Sequence, residues 1–521
     1  MGLSRREMVV AKFASTEQRY NPYFGQFILG PKQIGDKLYV SHIPIKEGIW
    51  LSCGDSLTIG HTKNYEDKEL YLLGEAYQSD PSKQSPLKEL RNATLHNIDE
   101  ISSSWAGRWL LVGYGRIFSD ASSLLKCFYK KVTCNSSEAC SCWFASNPVI
   151  LHEVDHDQDI TIAVEDRRAL ELGWVVPPRS GYKDIRVLLP SQCINIYDGT
   201  VEPRRILSIS KGVCSYADSQ DELIKRYSCI LKNIASNNDN IWIPLTGGHD
   251  SRLLTAISHH VGVRVNTYTF NKPYCHMSYA DKRLPPIIAR LAGFEHHFFD
   301  KVSFSKERMD IYDQLSTFYD ESVGSCYYYF VNGYWKHFEE NTTILGGFCG
   351  ELGRDNFLYK LLPVSPTGAD LFRVVPKTSF NRSAISELLH WWSQNPQINL
   401  DDRDRFYWEA RLTGWAGNTM LQNSLIFQFY NMRDIPMLNC MKVFEIILGM
   451  DEIYRIRGKY GKDIIGLVLP QAKNIPINPR GPFHKRVFVK LKQLCDRPQE
   501  VPLLFHRLLK KASMFFLNKI L

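Results

Sequence analysis

The sequence of 521 residues lacks several features that would assign a protein to a class at once. It has no run of about eighteen apolar residues, so we predict no membrane-spanning helix. Its start, MGLSRREMVVAKF, has charges but no sustained apolar segment or small-residue cleavage site, and we expect a cytoplasmic protein. It has no internal repeat and no low-complexity tract. No CxxC pair occurs among the 13 cysteines, which argues against a structural zinc site.

The sequence also lacks a concentrated block of charge. The formal net charge is +8, and it is spread along the chain rather than gathered in one arm. An even distribution of this kind favours anionic partners only weakly, so nucleotides, uronic acids and a lipid surface all remain compatible. Because no basic stripe is present, we expect no nucleic-acid partner.

The pattern of the chain changes near residue 210. Before this point, short runs rich in β-branched and aromatic residues alternate with Gly, Asn, Asp and Ser, which predicts a layered, β-rich domain. These runs include GQFILG, KLYVSHIPI, GRWLLVGYG, CWFASNPVIL and CINIYDG. From Asp218 onward, helical and strand patterns alternate, which predicts a parallel sheet flanked by helices. The fold class is therefore α/β and α+β in two domains, 1–210 and 211–483, followed by a helical tail at 484–521.

The segment IWIPLTGGHDSRLLTAI, residues 241–257, carries the strongest chemical signal. A glycine pair between a buried strand and a helix exposes backbone N–H groups at the helix N-terminus, where the helix dipole favours a phosphate. Hydroxyl donors, a carboxylate that can hold Mg²⁺ and a positive charge accompany the glycines. The candidate binding residues are Thr246, Gly247, Gly248, Asp250, Ser251 and Arg252. The spacing excludes GxxxxGK[ST] and GxGxxG, although a plain strand-to-helix turn would also tolerate two glycines.

The stretch PLTGGHDSR resembles the Ser-Gly-Gly-x-Asp-Ser loop of the ATP pyrophosphatases, with Thr246 in place of the first serine. Three further stretches resemble the asparagine synthetase branch, which includes β-lactam synthetases and lasso-peptide cyclases. They are GRWLLVGYGRIFSDASSLLKCFYK, PPRSGYKDIRVLLPSQCINIYDG and LGGFCGELGRDNF. The resemblance runs from about Gly25 to about Phe483, with the pieces in the family's order.

This resemblance implies an amino-terminal domain of the Ntn-glutaminase type and a carboxyl-terminal ATP pyrophosphatase domain. It also implies an amide-forming ligase that uses ATP and Mg²⁺ to adenylate a carboxylate, after which an amine or ammonia displaces AMP. Glu351 aligns with the family's second metal-binding aspartate, so Asp250 and Glu351 are the implied metal ligands. A small-molecule, peptide or saccharide carboxylate and an amine are the implied substrates.

The chain departs from the family at three places. Residue two is Gly2, and Phe24 and Gly25 stand where the family's first strand begins, so we expect no glutamine hydrolysis. Phe348 stands where the family tends to have a catalytic Glu or Tyr. The family's Arg-x-Lys motif is not matched closely. The candidates for a catalytic cation are therefore Arg480 and Lys459, with Lys462 and Lys473 as alternatives.

Other features leave alternatives open. Asp281 lies either on the adenine side of the site or at a solvated helix start. Tyr407, Arg411 and Trp415 recur at four-residue spacing, on a helix face that either lines an acceptor pocket or packs on the core. The tail HRLLKKASMFFLNKIL either contacts a membrane surface peripherally or packs on its own domain. The alternative functions are a nucleotide-binding relative without catalysis and a related enzyme that modifies RNA.

Overall fold

The chain forms a mixed α/β protein with two antiparallel sheets of six strands each and one parallel sheet of five strands. The computed structural model describes residues 23–479, apart from a few isolated positions and 36–39, 133–140, 152–173, 271–278, 301–336 and 355–360. The predicted tail at 484–521 and Arg480 lie outside the described residues. Among the described helices, none combines the length and the apolar composition that a membrane span needs.

The two antiparallel sheets are built from the β-rich half of the sequence. With strands numbered along the chain, the first sheet has the order β10-β8-β9-β1-β3-β2 and the second β12-β11-β7-β6-β5-β4. The first contains β1 (Phe27–Gly30), β2 (Val40–Lys46), β3 (Ile49–Gly54), β8 (Phe128–Val132), β9 (Ser141–Ala145) and β10 (Arg186–Val187). The second contains β4 (Ile59–Lys63), β5 (Glu69–Gln78), β6 (Trp105–Gly113), β7 (Arg116–Ser119), β11 (Gln192–Asn195) and β12 (Val201–Pro203). Two short helices lie between β5 and β6, α1 (Pro86–Glu89) and α2 (Ile98–Ser103).

The two sheets pack face to face. Leu29 and Leu51 of the first sheet share one buried cluster with Leu73 and Leu110 of the second. Alternate residues of each strand enter this core, as the two-residue period of a strand requires. The predicted β-rich, layered organisation is therefore confirmed, whereas the predicted domain boundaries stay a prediction.

The parallel sheet has the order β15-β14-β13-β16-β17. Its strands are β13 (Ile241–Pro244), β14 (Asn266–Phe270), β15 (His296–Phe299), β16 (Thr343–Leu345) and β17 (Arg433–Ile435). The chain moves outward from β13 to β14 and β15, and then returns to place β16 on the other side of β13. Such a reversal opens a crevice at the carboxyl ends of the two central strands, where α/β proteins bind ligands.

Helices follow the parallel strands and account for most of the remaining described residues. They are α3 (Tyr216–Ala235), α4 (Asp250–Val261), α5 (Tyr279–Ala292), α6 (Gly368–Val374), α7 (Ser379–Gln394), α8 (Asp402–Phe406), α9 (Gly417–Phe429), α10 (Met441–Gly449), α11 (Glu452–Arg455) and α12 (Lys459–Val468). A π-helix spans Tyr407–Ala416, between α8 and α9. Individual residues determine where two of these helices begin or end. The Ser215 hydroxyl caps the start of α3, and Gly262, with φ of 71°, ends α4.

Both faces of the parallel sheet are covered. Ile243 and Leu345 share a buried cluster with residues of α3, α4, α10 and α12. Tyr268 and Phe270 enter a second, largely aromatic cluster together with Phe427 of α9. The predicted parallel sheet flanked by helices is confirmed, and its buried centre holds the β13 and β16 loops in place.

Candidate functional site

A cavity of about 320 Å³ opens at the carboxyl edge of the parallel sheet. It lies where β13 and β16 end, because these neighbouring strands run parallel and deliver their following loops to the same place. Four acidic side chains line it: Asp250, Asp281, Glu351 and Asp434. The structure thus brings the predicted loop after β13 and the predicted acidic loop after β16 to one cavity.

The loop from Thr246 to Ser251 is held by its own polar groups. The Thr246 N–H donates to the Ser251 hydroxyl at 3.1 Å, and the Gly248 N–H donates to the Thr246 hydroxyl at 3.2 Å. The Gly247 N–H donates to the Asp281 carboxylate at 2.8 Å. Asp281 is buried at 7% exposure, so the structure shows a carboxylate that braces the loop rather than a solvated helix start.

Close packing explains why residue 247 is a glycine. A Cβ atom at Gly247 would lie 2.5 Å from the Cβ of Ala280, at the start of α5. A Cβ at Gly248 would meet only the Thr246 hydroxyl oxygen at 3.0 Å and the Asn478 amide nitrogen at 4.0 Å. Gly247 therefore lets the loop approach α5 and reach Asp281.

Asp250 begins α4 and is ion-paired with Arg354. One guanidinium nitrogen of Arg354 lies 2.7 Å from Oδ2 of Asp250, and each side chain is about one-fifth exposed. Burial by itself lowers the pKa of the Arg354 guanidinium, but Asp250, Tyr460, Glu351 and Tyr407 together outweigh burial, and the pKa is raised. The other carboxylate oxygen, Oδ1, is buried 3.5 Å from Nδ1 of His249 and has no hydrogen-bond partner among the described residues.

His249 anchors the loop to the start of α12. Its Nε2 donates to the Gly458 carbonyl at 2.9 Å, and its ring is buried. A Cβ at Gly461 would lie 2.1 Å from Cε1 of this ring, so the helix reaches the loop only because residue 461 has no side chain. This contact ties the loop to a segment more than 200 residues further along the chain.

The residues of the cavity fit a magnesium ion that arrives with a nucleotide. Within the part of the chain that the structure describes, no group of three or more His, Cys, Asp or Glu side chains is arranged to hold a metal ion by itself. Mg²⁺ is, however, commonly held by one or two carboxylates together with substrate phosphates. Asp250 and Glu351 supply two carboxylates in one cavity, and the unpartnered Oδ1 of Asp250 is an oxygen still able to accept a ligand bond.

The structure gives Arg252 a different role from the predicted phosphate contact. The side chain is 1% exposed, and its guanidinium donates to the carbonyls of Ile475, Pro476 and Gly247 at 2.7, 3.1 and 3.4 Å. Burial lowers its pKa to about 10. Arg252 thus fastens the segment after α12 to the loop, because its two terminal nitrogens donate to three backbone carbonyls.

The structure does not bring the predicted catalytic lysine to the cavity. Lys459 is exposed on α12, where its ammonium contacts Asp463 and lies 5.0 Å from the ring centre of Tyr216. Lys462 and Lys473 are also exposed, and neither lines the cavity. The other predicted cation, Arg480, lies outside the described residues.

Two cavity or near-cavity residues were not predicted as site residues, and a third was left open. Arg354 follows Glu351 by three positions, and Asp434 lies on β17. Burial raises the pKa of the Asp434 carboxyl to about 7, although the charge of Arg108 and the Asn423 amide oppose the shift. Trp415, which the four-residue spacing left between a pocket and the core, lines the cavity from the π-helix.

Comparisons with known proteins assign no family to the chain. No protein-family model and no curated protein matches it. The solved structures that resemble it include NMN synthetase from Francisella tularensis, at 12% identity and a TM-score of 0.18, covering 42% of this chain and 96% of that one. They also include the glutamine PRPP amidotransferase from B. subtilis complexed with ADP and GMP, at 11% identity and a TM-score of 0.20, covering 65% of this chain and 66% of that one. At these TM-scores, neither likeness decides the fold or the activity of this chain.

Proposed function

We propose that this protein is an ATP-dependent ligase that adenylates a carboxylate and then joins it to an amine. The observation that supports this most directly is the meeting of two loops in one cavity. The glycine-containing loop lies at the N-terminus of α4, and the loop after β16 adds Glu351 to the cavity that Asp250 also lines. A helix N-terminus next to a carboxylate pair is suited to a triphosphate and its metal ion.

The proposed reaction has two steps. A substrate carboxylate oxygen forms a bond to the α-phosphorus of ATP, and the bond from this phosphorus to the pyrophosphate oxygen breaks. The amine nitrogen then attacks the acyl carbon, the bond to AMP breaks, and the nitrogen loses a proton. The overall products are an amide, AMP and pyrophosphate.

The residues of this chain have distinct roles in the proposal. The Gly248 N–H and the hydroxyls of Thr246 and Ser251 would bind the departing pyrophosphate, and Asp250 and Glu351 would hold Mg²⁺. When bound, Mg²⁺ supplies charge stabilisation to the phosphate oxygens. Phe348 and Trp415 give the same cavity an apolar wall, which would exclude water from the acyl-adenylate.

We propose that the amine comes from outside the chain. Phe24 and Gly25 precede β1, and neither is a cysteine, serine or threonine that could serve as a glutaminase nucleophile there. An organic amine or free ammonia is therefore the second substrate. The two antiparallel sheets would then serve as structure or in recognition rather than in glutamine hydrolysis.

Two observations favour a second candidate, a nucleotide-binding protein without ligase activity. Asp250 is already ion-paired with Arg354, and Lys459 contacts Asp463 rather than the cavity. Such a protein would bind the nucleotide and release no AMP with any acceptor.

A binding experiment tests the site without knowledge of the acceptor. A non-hydrolysable ATP analogue is titrated calorimetrically with and without Mg²⁺ into the wild type, Asp250→Asn and the control Asp221→Asn, which changes an exposed acid of α3. We expect Mg²⁺-dependent binding in the wild type and the control, and a loss of about tenfold or more in Asp250→Asn. No binding by the wild type would overturn the proposal.

A trapping experiment separates the ligase from the binding protein. Hydroxylamine, supplied as a general amine with ATP and sets of carboxylates, converts an acyl-adenylate to a hydroxamate. Hydroxamate together with AMP would identify an adenylating enzyme and its acceptor class. Nucleotide binding without AMP release across the sets would favour the second candidate.

A further inference from the structure

Arg354 reaches Asp250 from outside the cavity. Its guanidinium lies 2.7 Å from Oδ2 of Asp250, yet Arg354 is not among the residues that line the cavity, whereas Asp250 is. The two oxygens of the Asp250 carboxylate therefore differ: Oδ2 is paired with the Arg354 guanidinium, whereas Oδ1 is buried 3.5 Å from Nδ1 of His249 and has no hydrogen-bond partner among the described residues.

The backbone and the packing hold Arg354 in this position. Its N–H donates to the Glu351 carbonyl at 3.2 Å, so the same turn carries both residues. Its side chain packs on Gly458, where a Cβ would lie 3.1 Å from Cδ of Arg354. Gly458 has a φ of 64°, and its carbonyl is the acceptor for His249. Arg354 is thus fixed against the same helix start that anchors the loop.

A fixed guanidinium changes what Asp250 can bind. A divalent cation on Oδ1 would share one small carboxylate with a positive charge, and like charges this close repel strongly in a partly buried site. The negative charge of Glu351 offsets part of this repulsion. Glu351 also attracts a second cation, Arg411, which stacks 3.7 Å from the ring centre of Trp415, so its charge is shared between the two. A metal ion that arrives with a triphosphate brings its own negative charge, so the repulsion is relieved.

We propose that Arg354 is a positioning residue that presents Oδ1 of Asp250 to the metal ion and keeps this carboxylate closed to a free divalent cation. The metal ion then enters only as its nucleotide complex. This inference rests on the proposed function, because it makes Arg354 the residue that prevents the metal ion from binding before the nucleotide.

The test measures metal binding with and without nucleotide. Mn²⁺ alone is titrated and followed by the electron paramagnetic resonance signal of the free ion, and the Mg²⁺ complex of the ATP analogue is titrated calorimetrically. In Arg354→Met we expect Mn²⁺ alone to bind about tenfold or more tightly than in the wild type, because a neighbouring positive charge is removed. The Mg²⁺–analogue complex should bind about tenfold or more weakly, because the carboxylate is no longer oriented.

Two variants serve as controls. Arg354→Lys keeps the charge, so binding of Mn²⁺ alone should stay close to the wild-type value. Arg373→Met changes an exposed arginine of α6 that is paired with Asp370, and it should alter neither titration. Thermal melting checks that each variant is folded, and Arg354→Gln replaces Arg354→Met if the latter fails to fold.

The outcomes separate this inference from the function on which it rests. Opposite changes in the two titrations support the positioning role, since a general loss of structure would weaken both. If Arg354→Met or Arg354→Gln is folded and binds Mn²⁺ alone no more tightly than the wild type, the inference is wrong and the proposed function stands. If the wild type does not bind the Mg²⁺–analogue complex, both are wrong.

Discussion

The side-chain amide of Asn439 donates a hydrogen bond of 2.8 Å to the carboxylate of Asp120, although the two residues are 319 positions apart. The same amide donates to the Gly107 carbonyl at 2.7 Å, and both side chains are fully buried. Asp120 also accepts from the N–H groups of Ser122 and Leu124. This contact joins the second antiparallel sheet to the segment after β17, which borders the candidate site.

Asn439→Ala should therefore destabilise the whole protein. It leaves a buried carboxylate and a buried carbonyl short of a donor, and we expect a loss of about 2–3 kcal/mol in the free energy of unfolding. Asn92→Ala, at an exposed asparagine, should change it by less than about 0.5 kcal/mol. Urea unfolding followed by circular dichroism measures both, and equal losses in the two variants would contradict the role of this contact.

Arg252→Met should lower stability more than it lowers nucleotide affinity. Methionine keeps the apolar stem but removes hydrogen bonds to three carbonyls, and the expected loss is about 2 kcal/mol or more. Hydrogen exchange should become faster at residues 475–478, which the guanidinium holds. Arg283→Met, at an exposed arginine of α5, is the control. A large loss of affinity at unchanged stability would restore the predicted phosphate contact.

Gly247→Ala should disrupt the loop more than Gly248→Ala does. The added methyl group would lie 2.5 Å from the Cβ of Ala280, so either the loop or α5 must move and the contact with Asp281 is lost. At Gly248 the nearest atom is the Thr246 hydroxyl oxygen, at 3.0 Å, which is a milder conflict. We expect affinity for the ATP analogue to fall about tenfold or more in Gly247→Ala and by a smaller factor in Gly248→Ala. The reverse order would show that the loop does not pack on α5 in solution.

The Asp434 carboxyl should make stability depend on pH. Burial raises its pKa from the ordinary value of 3.8 to about 7, so the folded protein holds a proton that the unfolded chain has already released. Its contribution to stability is fully present below about pH 4 and is lost as the pH rises to about 7. Asp434→Asn carries no charge at any pH and should melt about 3 °C or more above the wild type at pH 8, but not at pH 4. Calorimetry at the two pH values checks this, and an equal difference at both would contradict the raised pKa.

The order of elements around the candidate site follows from local patterns. The apolar run IWIPL, the glycine pair and the following helical pattern predict a strand, a turn and a helix, and the structure has β13 and α4 at these positions. The alternation of helical and strand patterns after Asp218 likewise predicts a parallel sheet. Backbone hydrogen bonding and side-chain periodicity act over a few residues, so the sequence expresses them directly.

The partners of charged side chains do not follow from local patterns. Arg252 lies beside the loop in the sequence, but its guanidinium points to the carbonyls after α12. Lys459 precedes Asp463 by one helical turn and contacts it, a pairing that the i, i+4 spacing could have indicated. Nothing in the sequence around Arg354 indicates that its partner is Asp250, which lies 104 positions earlier.

The sequence by itself determined the order of strands and helices around the candidate site, and that a glycine-containing loop precedes a helix. Only the tertiary structure decided that the loop after β16 lines the same cavity as that loop, and that Asp250 faces Arg354. The reason is physical: secondary structure is set by neighbours along the chain, whereas an ion pair depends on distance and burial in three dimensions. Asp250 therefore has a position that the sequence predicts and a partner that only the fold supplies.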